Sequence, residues 1–191
     1  QLLKDCGIKV SKSDGKLVSL SSNFPLEVLF LRDDDIPEYV ADGVTDTGIV
    51  GLNVVEEKEI DVDTVERLGF SGCRLSLAIP KAIDYKEVSF FNNKRIATSY
   101  PVILKKYLDS KKVHADIHEI SGSVEIAPGI GLADAIFDIV SSGSTLVSNN
   151  LKEVEVVLKS EALLIANKNL SEEKKSILND AHLIDTIERA A

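Results

Sequence analysis

Residues Ser121–Leu151 read SGSVEIAPGIGLADAIFDIVSSGSTLVSNNL, and the rest of the chain is best read outward from them. An apolar run, Leu132–Val140, carries two acids, Asp134 and Asp138. A small loop follows: Ser141, Ser142, Gly143, Ser144 and Thr145. Two amide side chains come next, Asn149 and Asn150. Glycine and serine let backbone N–H groups approach an anion closely, and hydroxyls add further donors. A helix starting near Thr145 would point its unsatisfied N–H groups and a partial positive charge at the same spot. The acid just before the loop would then reach the hydroxyls of a sugar whose phosphate sits in the loop. A Ser/Gly loop between a strand and a helix is more often only a turn, with its acids solvated. The order here (acid-bearing run, SSGST, helix start) favours a site for a ribose phosphate.

Composition sets the frame. A chain of 191 residues has room for one large or two small domains. With 44% hydrophobic and 28% charged residues it reads as globular. No apolar run reaches the roughly 18–20 residues that span a bilayer. No basic-then-apolar leader is visible. Cys6 and Cys73 are far apart and in no metal spacing, so reduced thiols and a cytoplasmic setting are expected. A net charge of −9 disfavours a general nucleic-acid surface. A phosphate-rich substrate must therefore meet a local basic patch, backbone amides and Mg²⁺.

Taken in order, Gln1–Cys6 reads as a helix end stopped by Gly7. Residues 8–22 give extended pieces around the Asp14-Gly15 turn signal. Leu26–Leu31 reads as a buried strand, Ile36–Asp42 as a helix with Pro37 in its first turn, and Asp46–Gly51 as a strand. Strand, helix, strand argues for a parallel sheet. Ligands gather at the carboxyl ends of such strands, which singles out Arg32 and the turn Gly51-Leu52-Asn53. Arg32 suits a diphosphate, or else pairs with Asp33–Asp35. Residues 53–66 read as helical or loop-like and solvated, and Cys73–Ile79 as a strand with Arg74 near its start. Arg95–Ser99 and the helix from Pro101 to Leu108 open a second unit of the same kind. Thr98 and Ser99 then lie beside a helix N-terminus, a potential anion site. Tyr100 could stack on a base or merely pack. Ala115–Ile120 is a strand on which His114 and His118 read as surface residues. Glu125 is an acid in a Gly/Ser turn facing the proposed sugar site. Residues 154–158 and 162–166 are strands, the second returning to the first domain's sheet. Ser171 caps a helix to Asp180, and the tail to Ala191, with His182, reads as helical.

GSVEIAP, GLADAIFDIV and SGSTLVSNNL resemble the signature of ATP phosphoribosyltransferase, the first enzyme of histidine biosynthesis. DDDIPEYVADGVTDTGIVG (33–51), LGFSGCRLSLAIP (68–80) and RIATSYP (95–101) resemble it too. The blocks occur in the family's order over about residues 20–166. The resemblance implies an α/β fold of two lobes with mainly parallel sheets, like a periplasmic binding protein, and an active site in the cleft between them. The lobes would take 1–82 plus 166–191, and 83–165. The implied reaction joins N1 of ATP to the ribose of phosphoribosyl pyrophosphate and releases pyrophosphate.

By the same resemblance, Asp134, Asp138, Ser141, Ser142, Gly143, Ser144 and Thr145 bind phosphoribosyl pyrophosphate, and Asp138 holds the ribose hydroxyls. Glu125 and Asp138 act through Mg²⁺, Arg32 and Arg74 face diphosphate or triphosphate, and Gly51, Asn53, Arg74 and Tyr100 meet the nucleotide. The sequence departs from the family pattern at Ser99, usually lysine, and at Val147, often basic. A homo-oligomer is implied. So is either a regulatory partner resembling histidyl-tRNA synthetase, if the protein is a short form, or a longer form with its own regulatory domain. The competing reading is a non-enzymatic bilobal module that binds or senses a small anionic ligand. Such a module needs no SSGST loop after an acid-bearing strand.

Overall fold

The structure, a computed structural model, describes residues 2–11 and 15–179. Expectations for Asp14, His182 and the helical tail fall outside these. The chain divides into two compact units, the first built from residues up to 55, 60–70 and 162 onward, the second from 56–59 and 71–161.

The first unit opens with α1 (Leu2–Asp5), closed as expected at Gly7. The φ of Gly7 is +73°, and the Gly7 and Ile8 N–H groups donate back to the Lys4 and Leu3 carbonyls. Two short strands, β1 (Val18–Leu20) and β2 (Glu27–Leu29), pair antiparallel. A turn through Asp33–Asp35 leads into α2 (Ile36–Ala41), with Pro37 in its first turn. Next come β3 (Thr47–Gly51), α3 (Leu52–Lys58), whose last three residues belong to the second unit, and β4 (Asp63–Arg67). A further strand of this unit, Ala162–Ala166, lies between β3 and β4 and runs antiparallel to both. All five of its residues are buried, which is what the unbroken apolar run ALLIA requires. Val40, Val50, Val54, Leu163 and Ile165 form the core here.

The parallel pairing expected of Leu26–Leu31 and Asp46–Gly51 does not form: β2 joins β1, and β3 joins Ala162–Ala166. The intervening helix explains the difference. Six residues of α2 rise only about 9 Å. A parallel crossover must carry the chain back along a full strand.

In the second unit, β5 (Cys73–Pro80) is followed by β6 (Arg95–Thr98), α4 (Pro101–Lys111) and β7 (Asp116–Glu119). Then come β8 (Ala135–Val140), α5 (Ser144–Ser148) and β9 (Leu151–Ser160). The strand of the first unit described above, Ala162–Ala166, is β10. The five-stranded sheet has the order β7-β6-β8-β5-β9. β6 pairs in parallel with β7 and β8, so the second strand–helix–strand unit forms as read. β5 pairs antiparallel with β8 and β9, so this sheet is mixed, and the strand pairs of the first unit are all antiparallel; the sheets are not mainly parallel. The chain enters this unit along β5 and leaves it along β9.

The boundaries also differ from 82/83 and 165/166. β5 is interior to the second sheet, so residues 71–82 belong there, while Ala162–Ile165 pair within the first unit. β5 is covered on both faces, and Leu75 to Ile79 are all buried. Leu75, Leu77 and Ile79 pack with Phe137 and the α4 residues Leu104 and Leu108. Ala78 packs on the other face with Ile136, Val140, Leu146 and Leu151. Period-two alternation makes the sorting. It also leaves Arg74, Ser76 and Asp138 on that second face.

Candidate functional site

Strand β8 delivers Asp138 to this face three residues before Ser141. Asp138 lies directly opposite Ser76 of β5. Its Oδ1 accepts the Ile139 N–H at 2.8 Å. Burial pushes its carboxyl above the usual aspartate range, and the neighbouring Glu125 carboxylate pushes it the same way, against the Ile139 bond. Glu125 sits in the short 3-10 turn Val124–Ile126, which follows Ser123 at φ +51°. An Asp138 whose charge is disfavoured by burial and by a neighbouring carboxylate gains from a cation or from hydroxyl donors.

The loop begins where β8 stops. Gly143 has φ +81°, a conformation that glycine adopts without strain. The Ser142 and Ser144 hydroxyls lie 2.9 Å apart, and the Ser144 N–H donates to Ser142 Oγ at 3.3 Å. Ser141, Ser142, Ser144 and Thr145 are exposed. Leu146 is buried and pins α5 to the sheet. The helix starts at Ser144, one residue from the expected place. Asn149 turns its amide back to the Thr145 carbonyl at 2.9 Å, which stops the helix rather than facing the loop.

The other expected residues are placed as follows. Asp134 precedes β8, whose six residues rise about 20 Å, so it is not brought to the loop. It instead accepts the Arg95 backbone N–H at 2.9 Å and Arg95 Nε at 3.4 Å. Those contacts, the backbone bond foremost, hold its carboxyl below the ordinary range. Arg74 is not presented to solvent as a free fork. Its Nε and Nη2 donate to the two carboxylate oxygens of Glu153 at 2.6 and 2.7 Å, and Nη1 donates to the Ser141 carbonyl at 3.1 Å. Arg32 is exposed and forms no ion pair with Asp33–Asp35. Gly51 ends β3, and Asn53 is buried in the first unit at 5% exposure, which removes its side chain from a solvent-facing role. Tyr100 packs against the core of the second unit.

The anion site expected beside Thr98 and Ser99 is filled from within. Glu57 accepts the Val102 and Ile103 N–H groups at 2.9 and 3.0 Å, and the Ser99 hydroxyl donates to the Ile120 carbonyl at 2.7 Å. His118 Nε2 lies 3.1 Å from Asp116 Oδ2. Among the described residues no three His, Cys, Asp or Glu side chains are grouped to hold a metal. Glu153 and Ser76 escaped the sequence reading. Glu153 and Arg74 are 79 positions apart, and only the pairing of β5 with β9 joins them.

Residues 32–189 match the family model of ATP phosphoribosyltransferase. The chain belongs to the ATP phosphoribosyltransferase family. It is 67% identical over 179 residues to the ATP phosphoribosyltransferase of Phocaeicola vulgatus, covering 94% of this chain and 63% of the relative. The chain thus spans a little under two thirds of the length of such relatives. Among solved structures it is similar to an ATP phosphoribosyl transferase (HisG:HisZ) complex from Thermotoga maritima, at 29% identity and a TM-score of 0.81, covering 98% of this chain and 91% of that one. A histidine kinase sensor domain with similarity to periplasmic binding proteins shares the fold at 12% identity and a TM-score of 0.53, covering 81% of this chain and 73% of that one. For an ATP phosphoribosyltransferase chain, the periplasmic-binding-protein-like α/β fold read from the sequence is therefore the family's own. Among the described residues no helix is long and apolar enough to cross a membrane.

Proposed function

We propose that the chain transfers the phosphoribosyl group of phosphoribosyl pyrophosphate to N1 of ATP, the first step of histidine biosynthesis. The observation that carries this reading is the half-buried Asp138 followed at once by an exposed hydroxyl-rich loop on the same strand end. The loop N–H groups and the Ser142, Ser144 and Thr145 hydroxyls hold the 5-phosphate. Asp138 accepts from the ribose hydroxyls, with Glu125 beside it. Adenine N1 forms its bond to the anomeric carbon as the bond from that carbon to the diphosphate oxygen breaks, and pyrophosphate leaves with the electron pair. No protein base is required, because N1 is itself nucleophilic. Positioning two anions and stabilising the leaving group supply the rate.

A half-buried Asp138 carboxyl with Glu125 beside it, and no group of three such ligands among the described residues, fits a Mg²⁺ shared with the substrate rather than caged by protein. Glu125 and Asp138 would hold that ion, which would neutralise charge on the leaving diphosphate. Arg32 and Gly51 are assigned to substrate binding on the family pattern. Asp134 is assigned to bracing β6 against β8, and Arg74 to holding the loop.

The solved Thermotoga maritima relative is a HisG:HisZ complex, and a partner subunit of that kind is part of the proposal, as is a homo-oligomer. A sensor domain shares the fold at lower similarity, so a non-catalytic binding module is the second reading. Pyrophosphate release from ATP, phosphoribosyl pyrophosphate and Mg²⁺, with and without such a partner, separates them. Turnover that falls at least 100-fold in Asp138→Asn supports the transferase. Absence of turnover under both conditions, with a sugar phosphate still bound, supports the binding module.

A further inference from the structure

We infer that Glu153 is a positioning residue for phosphoribosyl pyrophosphate, acting through Arg74 and Ser76; the inference rests on the transferase reading above. Its carboxylate gathers three donors: Arg74 Nε at 2.6 Å, Arg74 Nη2 at 2.7 Å and Ser76 Oγ at 2.6 Å. Each donor leads to one half of the site. The bidentate pair fixes the plane of the guanidinium, so that Nη1 meets the Ser141 carbonyl at 3.1 Å and holds the first residue of the loop. Ser76 is fully buried and sits directly opposite Asp138. One side chain thus ties the loop that takes the phosphate to the strand position beside the acid that takes the ribose.

The pairing also restrains Arg74. A guanidinium so close to a phosphate loop would otherwise be free to turn its fork onto a substrate anion and leave Ser141 unheld. Glu153 is only 25% exposed, so water competes weakly for these bonds. The same donors, Arg74 first, hold its carboxyl below the ordinary glutamate range.

The test is steady-state kinetics of the full-length protein, with its partner subunit where turnover requires one. In Glu153→Gln, KM for phosphoribosyl pyrophosphate is expected to rise about tenfold, the scale of one charged hydrogen bond, with KM for ATP within twofold of wild type. Ser76→Ala, a milder change, raises the same constant by less. Glu153→Gln adds little to the double variant Arg74→Gln/Ser76→Ala, because Glu153 acts through those two residues. A lowered melting temperature with both KM values unchanged in Glu153→Gln and Ser76→Ala would make the network purely structural and overturn the inference. Equal rises in both KM values would overturn it too. Wild-type protein that neither turns over nor binds phosphoribosyl pyrophosphate would overturn the transferase reading and this inference with it.

Discussion

Asp138 and Glu153 share one face of one sheet, yet their environments push them in opposite directions. Burial raises Asp138, so the folded state favours its protonated form. That contribution is fully present below the ordinary aspartate value of 3.8 and is lost as pH rises through the folded value. Asp138→Asn should therefore be at least as stable as wild type near neutrality while losing turnover. Melting curves from pH 4 to 8 check this, and a large loss of stability at pH 7 would contradict it. Arg74 lowers Glu153, whose contribution is present above the ordinary 4.5 and disappears as pH falls through the folded value. Glu153→Gln should cost about 1–2 kcal/mol at neutral pH and progressively less below pH 4.5, measured by denaturant unfolding at each pH. Asp138, Glu125 and the SSGST loop were legible in the sequence because they lie close together along the chain. Glu153 was not, since a strand pairing 79 residues away supplies its meaning.

At the scale of elements, local signals were read well. Gly7 ends α1, Pro101 opens α4, and Ser171 Oγ accepts the Lys174 N–H at 3.3 Å as the cap of the helix Glu172–Asn179. What local reading missed was partner choice. A short apolar strand looks the same whether its neighbour is parallel or antiparallel, and β4 was hidden in an acidic stretch. Glu57 was likewise read as part of a solvated face, although its carboxylate caps α4. Glu57→Ala should destabilise the protein by about 1 kcal/mol in denaturant unfolding, the usual cost of a lost N-terminal cap. Gly48 marks a close approach of α2 to β3. A Cβ there would meet Ile36 Cγ2 at 2.5 Å and Val40 Cγ2 at 3.0 Å. Gly48→Ala is accordingly expected to cost about 1–3 kcal/mol by overpacking, and an unchanged unfolding midpoint would show that α2 gives way.

For the molecule as a whole, the two α/β units were legible because apolar runs recur in strand–helix order, and because ALLIA was apolar enough to demand burial on both faces. Their boundaries were not, because membership of β5 is decided by β8 and β9 rather than by neighbours in sequence. On the proposed transferase reading, a chain with net charge −9 must concentrate its donors locally to meet two polyanions, and the hydroxyl-rich loop after β8 is the place proposed for this. Calorimetric titration of phosphoribosyl pyrophosphate into wild type, Thr145→Ala and Asp138→Asn, with Mg²⁺ present, tests this most directly. Wild type should bind, with each variant weaker by at least tenfold at an unchanged melting temperature. Equal affinity in all three would place the phosphoribosyl group elsewhere and contradict the account.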